Sequence, residues 1–261
     1  MSDKMAVGPG DGCAWVTGAS FGIGRAVALR LARAGWTVVA SARNPEPLRH
    51  VAAEPMEGTG SILAEPLDIA DEAAVEATVA RIESRFGPIA LALLNAGTHA
   101  PVAAHAFRVQ TFRDLAAVNL LGTVACLASV LPRMLARRRG QIAIVASLAG
   151  YRGLPTAAAY GMTKAGLINM AEALKPELDA ANVKLQIINP GFVRTPLTDR
   201  NRFAMPFLIE AEAAAEAICR GLGRRRFEIA FPYRFALLMG LLRLLPYPLF
   251  FALTRRLLSH G

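Results

Sequence analysis

Cysteine is scarce in this sequence: three residues, Cys13, Cys126 and Cys219, in 261. They are too few and too scattered for a disulfide framework or a zinc site, so a reducing cytoplasm is the expected compartment. No His/Cys/Asp grouping has metal-ligand spacing, and no metal is expected. Internal repeats, low-complexity tracts and Ser/Gly-rich linkers are also missing, which argues against a solenoid or a multi-domain chain. Acidic residues are rare at one end: from Arg220 to Gly261 there are eight Arg and one Glu, carrying +7 of the formal +9. Those arginines are interleaved with Leu and Phe and belong to no recognition-helix motif, so nucleic acid is not an expected partner. The first twelve residues hold two Asp and no apolar run. They are not read as a secretory leader, and residues 1–11 are expected to form a flexible tail.

What is present is a chain with 54% apolar residues, enough to bury the core of one ordinary domain. Short apolar runs alternate with helical spacing: GCAWVTG, WTVVASA, SILAEPL, PIALALLNAG, QIAIVAS, VKLQIINPG and RFEIAFP read as strands. Between them lie helical stretches at 25–35, in DEAAVEATVARIESRFG, at about 107–137, at about 157–181 and around 210–221. Near-continuous apolar strands separated by helices predict an α/β, doubly wound parallel sheet covered on both faces. Ligands in such sheets sit at the carboxyl ends of the strands.

Three groups of residues carry chemistry. After the first strand comes Thr17-Gly-Ala-Ser20-Phe-Gly22-Ile23-Gly24. Glycines 18, 22 and 24 permit a tight turn, let the backbone approach a pyrophosphate and allow the next helix to pack closely. Such a turn can also exist without a ligand. The second strand ends in Ser41-Ala42-Arg43-Asn44, with no carboxylate to repel a 2′-phosphate and with Arg43 able to pair with one, which favours NADP over NAD. Tyr160 and Lys164 stand four apart, on one helix face, where a cation moves a phenol of pKa about 10 toward useful acid–base range. Four Tyr and four Lys in this chain would produce such a pair by chance only about 0.06 times. Ser147 ends the strand QIAIVAS, at the edge where active-site groups collect.

Together with Asp68-Ile69, Asn95-Ala96-Gly97, Asn119 in N-L-L-G, and Pro190-Gly191 followed by Val193 and Thr195, these residues resemble the short-chain dehydrogenase/reductase family over about residues 12–231, each motif in the expected order. The resemblance implies a single-domain Rossmann-like fold. It implies Tyr160 as acid/base, Lys164 lowering its pKa and binding the nicotinamide ribose, and Ser147 hydrogen-bonding the substrate oxygen. Asn119 would support a proton-relaying water chain. Asp68 would meet the adenine amino group, Ile69 line that pocket, and Asn95-Ala96-Gly97 stabilise the sheet near the cofactor. Val193 and Thr195, after the Pro190-Gly191 turn, would fix the carboxamide. By analogy the long helices at 107–137 and 157–181 would build a homodimer or homotetramer.

The resemblance stops before the end. Residues 232–261 form an apolar and basic extension, FALLMGLLRLLPYPLFFALTRRLL within it, expected as two short helices because Pro246-Tyr-Pro248 breaks the run. Neither could cross a bilayer. Two arrangements stay open: helices lying in a membrane interface as a peripheral contact, or helices folded over the pocket or against another subunit. Both favour a lipophilic substrate, as does the apolar segment 197–208 with Phe203, Met205, Phe207 and Leu208 in the family's lid position. His99 and His105 follow the Asn-Ala-Gly turn and could approach a substrate. The expected activity is NADP(H)-dependent hydride transfer to or from a carbonyl or secondary alcohol of a lipophilic compound, running as a reductase. An NAD-dependent alcohol dehydrogenase and a non-catalytic, cofactor-bound sensor or scaffold at a membrane are the alternatives.

Overall fold

Seven strands form one parallel sheet in the order β3-β2-β1-β4-β5-β6-β7: β1 Cys13–Thr17, β2 Thr37–Ser41, β3 Ser61–Ala64, β4 Ile89–Leu94, β5 Gln141–Val145, β6 Lys184–Pro190 and β7 Glu228–Phe231. The computed structural model describes residues 5–55, 58–200 and 205–258. Strand order reverses between β1 and β4, and a doubly wound sheet opens its ligand crevice at that point.

The central strands are buried at every position, because side chains alternate between two covered faces. Ala14, Val16, Val38, Leu91, Leu93 and Val145 face one core, shared with α1 (Gly22–Arg33), α2 (Pro45–Ala52) and α7 (Ala211–Leu222). Cys13, Trp15, Val39, Ala92, Ile142 and Ile144 face the other, shared with α3 (Glu72–Phe86), α5 (Gly122–Arg137) and α6 (Ala158–Ala180). The three cysteines are free thiols. Burial pushes Cys13 and Cys219 up to about 11 and Cys126 up to about 12, so none is a ready nucleophile.

Several elements depart from the sequence reading. The single stretch expected at 107–137 is α4 (Val109–Leu115), a wide π turn at Ala116–Leu121, and then α5. By length and composition this run could cross a membrane, yet Cys126, Leu127, Val130 and Met134 bury it against the sheet. Helix α2 escapes the periodicity reading because it has eight residues and two prolines. Its signal is local: the Asn44 side chain accepts from Glu46 N, and Pro45 opens the first turn.

The tail expected at 1–11 is not loose from Ala6 onward. Val7 N donates to Gln141 Oε1 at 3.3 Å, and the Arg139 guanidinium holds both the Ala6 carbonyl and the Asp11 carboxylate. That guanidinium keeps the Asp11 carboxyl below its usual range.

At the other end the apolar run divides into α8 (Tyr233–Leu244) and α9 (Tyr247–Leu258). Leu245 is extended, the conformation a residue before proline prefers, and Pro246 turns the corner.

Candidate functional site

The turn from β1 into α1 is shaped by its three glycines for two different reasons. Gly18 and Gly22 have φ of +67° and +52°, left-handed values that favour glycine. Gly24 is needed for packing, since a Cβ there would lie 2.2 Å from the Gly18 carbonyl oxygen. Thr17 Oγ1 accepts from the amides of Asn95 (3.0 Å) and Ala96 (3.1 Å), while Asn95 Nδ2 donates to the carbonyls of Thr17 and Gly18, both at 3.1 Å. Asn95-Ala96-Gly97 therefore clamps the end of β4 to the glycine turn. Ser20 Oγ is buried in the turn without a hydrogen-bond partner among the described residues, an acceptor and donor of the kind a bound phosphate or ribose would satisfy. Ile23 packs against the α1 side of the core.

Ser147, Tyr160 and Lys164, the residues expected to carry acid–base chemistry, lie across the same strand ends. Ser147 follows β5; its Oγ accepts from Ala149 N at 3.1 Å and donates a long bond to the Pro190 carbonyl at 3.4 Å. Tyr160 sits in the first turn of α6, and Lys164 lies one turn on. Lys164 is 4% exposed, donates to the Val145 carbonyl at 2.8 Å, and its Nζ is 5.7 Å from the Tyr160 ring centroid. A Cβ on Gly97 would come within 3.6 Å of that Nζ and 3.3 Å of Asn119 Oδ1, which places the Asn95-Ala96-Gly97 turn directly against both groups.

Burial sets the titration of both groups. It pushes the Tyr160 phenol up, and the Ser147 hydroxyl beside it pulls the other way. It lowers the Lys164 ammonium to about 8, which leaves a buried cation at neutral pH next to a protonated phenol.

Asn119 is fully buried in the π turn. Its Oδ1 accepts from Thr98 N at 2.7 Å, and its Nδ2 donates to the Thr98 carbonyl (2.9 Å) and to Thr163 Oγ1 (3.1 Å). One amide thus joins the loop after β4 to α6. A π turn displaces one helical residue, and such turns concentrate at functional sites.

On the opposite side of the crevice, Arg43 is exposed and makes no ion pair among the described residues. It borders a cleft of about 300 Å³ with Leu67, Asp68, Asp71 and Arg81. Asp68 accepts from Ala70 N and shapes the turn, while Asp71 caps α3 through Ala74 N. Ile69 does not line this cleft: it is 5% exposed and packs on α5, where a Cβ on Gly122 would fall 2.8 Å from its side chain. That contact explains the glycine of N-L-L-G.

The third wall is built from the Pro190-Gly191 turn and the C-terminal helices. Gly191 lies under Phe235 of α8, too close for a Cβ at 2.6 Å, and Phe235 stacks on Phe192 and Phe207. Leu148, Met239 and Leu242 complete the apolar cluster. Val193 is buried, and Thr195 touches Gly22 across the crevice. Of the lid residues, Met205, Phe207 and Leu208 are described, and Phe203 lies outside the described residues. His99 packs edge-on against Tyr160, ring centroids 4.8 Å apart, whereas His105 is exposed.

Residues 12–205 match the family model described as short chain dehydrogenase. The chain belongs to the short-chain dehydrogenase family. It is 38% identical over 247 residues, 94% of this chain and 96% of the relative, to an uncharacterized oxidoreductase of Myxococcus xanthus. It is 32% identical over 187 residues, 71% and 76% of the two chains, to a 3-oxoacyl-[acyl-carrier-protein] reductase of Staphylococcus aureus. A Burkholderia phymatum short chain dehydrogenase/reductase, solved in complex with NAD, superposes with a TM-score of 0.80 over 90% of this chain and 94% of that one, at 23% identity, a likeness of fold.

This short-chain dehydrogenase is therefore an oxidoreductase whose family binds a nicotinamide cofactor. Two residues that tie this region together escaped the sequence reading. Thr163, which holds Asn119, lies three residues beyond Tyr160 and so on an adjoining helix position, a signal that was available. Arg152 had none. It lies between Ser147 and Tyr160, where its Nη1 meets the carbonyls of Leu242 (2.8 Å), Arg243 (2.9 Å) and Leu245 (2.6 Å) while its guanidinium covers Phe250 at 4.1 Å.

Proposed function

We propose that this enzyme is an NADP(H)-dependent reductase of a carbonyl carried by a lipophilic substrate, reversible to oxidation of the matching secondary alcohol. The observation that carries the reading is the gathering of Ser147, Tyr160 and Lys164 beside the glycine turn, with an apolar wall of Leu148, Phe192, Phe235 and Met239. A nicotinamide, when bound, would supply or accept the hydride, and the remaining roles fall to the chain. Tyr160 donates its proton to the carbonyl oxygen, and Ser147 donates a hydrogen bond to the same oxygen as negative charge grows there. Lys164, protonated, favours the phenolate that remains and binds ribose hydroxyls. Asn119, Thr98 and Thr163 hold the loop and helix that lead a returning proton to Lys164.

On the cofactor side, the amides of the 18–24 turn and Ser20 take the pyrophosphate, Asp68 takes the adenine amino group, and Val193 and Thr195 take the carboxamide. Arg43 pairs with the 2′-phosphate. At the end of β2 itself, Ser41 Oγ accepts from Trp15 Nε1 at 3.0 Å and Asn44 caps α2, which leaves Arg43 as the one charged side chain of Ser41-Ala42-Arg43-Asn44. Exposed Leu121, Val124, Leu135 and Met162 on the long helices support assembly as a homodimer or homotetramer.

The test is cofactor and substrate titration of wild type and Arg43→Ala with aliphatic ketones of increasing chain length. An Arg43→Ala variant should lose about 1.5–3 kcal/mol of NADPH affinity, one charged hydrogen-bonding contact, with NADH affinity unchanged. Equal losses for both cofactors, or none for either, would favour the NAD-dependent dehydrogenase. No turnover with any carbonyl despite cofactor binding would favour the non-catalytic sensor.

A further inference from the structure

The C-terminal hairpin has two apolar faces, and the site uses only one. Phe235, Met239 and Phe250 are buried inward. Outward, α8 presents Leu237, Leu238, Leu241 and Leu244, 45–79% exposed, and α9 presents Leu249 and Leu253 at 57% and 45%. Among the described residues, nine of the 17 exposed large apolar side chains fall between Tyr233 and Leu253. A helix apolar all round belongs in a core or against lipid, and no protein element of the described chain covers this face.

Charge decides what does. Arg234, Arg243 and Arg255 are exposed among the leucines, make no ion pair among the described residues, and no Asp or Glu follows Glu228 in the sequence. Two-fold pairing of this face with a second copy would bring arginines toward arginines with no carboxylate on either helix to answer them. Phosphate headgroups answer them directly, and leucines between arginines are the composition of a helix lying in an interface. We propose that the outer face of α8 and α9 docks the folded enzyme on an anionic bilayer surface, the inner face remaining the wall of the site. This surface is independent of the cofactor and of the reaction assigned above.

The experiment is co-sedimentation of the full chain with vesicles of phosphatidylcholine alone and with about one-third phosphatidylglycerol, at about 0.05 and 0.5 M salt. The proposal expects binding to the anionic vesicles that weakens at least about tenfold at high salt. Arg243→Gln should weaken it about fivefold, the effect of one cation near a charged surface. A Leu241→Ser/Leu244→Ser variant, altered only at exposed positions, should weaken it about tenfold or more while keeping hydride transfer to a small soluble ketone. Absence of binding to either vesicle overturns the proposal. So does wild-type self-association that the double Leu variant abolishes, which would assign the face to a second copy. Failure of hydride transfer in wild type would sink the reading of the site and leave the vesicle result standing.

Discussion

Replacing Arg152 by Ala should release the C-terminal hairpin while leaving the sheet intact. Three carbonyl oxygens surround Nη1 at 2.6–2.9 Å. That nitrogen carries two hydrogens, so the three acceptors share about two charge-assisted bonds, worth about 1 kcal/mol each once partial exposure is discounted. The guanidinium also covers the rings of Phe250 and Tyr247 at 4.1 and 5.0 Å, adding about 0.5–1 kcal/mol apiece. The total, about 3 kcal/mol, corresponds to a roughly hundredfold rise in local opening. Hydrogen exchange read by mass spectrometry should therefore speed about hundredfold at the amides of α8 and α9 and not at all in β5 and β6. Arg152→Lys, which keeps the charge but loses the planar fork, should fall between. Unchanged exchange in both helices would refute the reasoning and assign their attachment to burial of Phe235, Met239 and Phe250 alone.

Titration of Lys164 supplies a pH prediction. Its folded pKa, about 8, lies below the usual 10.5, so the ammonium is present below about pH 8 and is lost above it. Reduction, which needs both this cation and a protonated Tyr160, should be level near neutrality and decline above about pH 8 in a kcat/KM profile; a level profile to pH 10 would contradict it. Gly24→Ala should destabilise the fold by about 1–3 kcal/mol in thermal unfolding, because its Cβ meets backbone at 2.2 Å. By contrast Gly240→Ala, with nothing within 4 Å in the middle of α8, should stabilise that helix by about 0.5–1 kcal/mol.

The alternation of strand and helix was legible because buried parallel strands are continuous apolar runs, as in Ile89–Leu94, and the helices between them keep their period. Glycines 18, 22 and 24 and the Tyr160/Lys164 pair were legible because each is local, a turn or one helical step. What was not legible depends on distant partners. Nothing near Arg152 announces the carbonyls of α8, some 90 residues on. The packing of Ile69 on α5 was equally out of reach, because the space that receives it is made by Gly122, more than 50 residues on. Residues 6–11 read as a loose tail because their anchors, Arg139 and Gln141, lie far along the chain. Sequence alone leaves three places for the extension, a membrane interface, the pocket or another subunit, because which face of each helix is buried depends on Leu148 and Phe192, far back in the chain, against which Phe235 and Met239 pack.

The most direct test of the account is single-turnover reduction by Tyr160→Phe, with NADPH binding measured separately by fluorescence. The account predicts normal cofactor affinity and a loss of about 10²–10⁴ in the chemical step, the usual contribution of a positioned general acid. Reduction at the wild-type rate by that variant would contradict it.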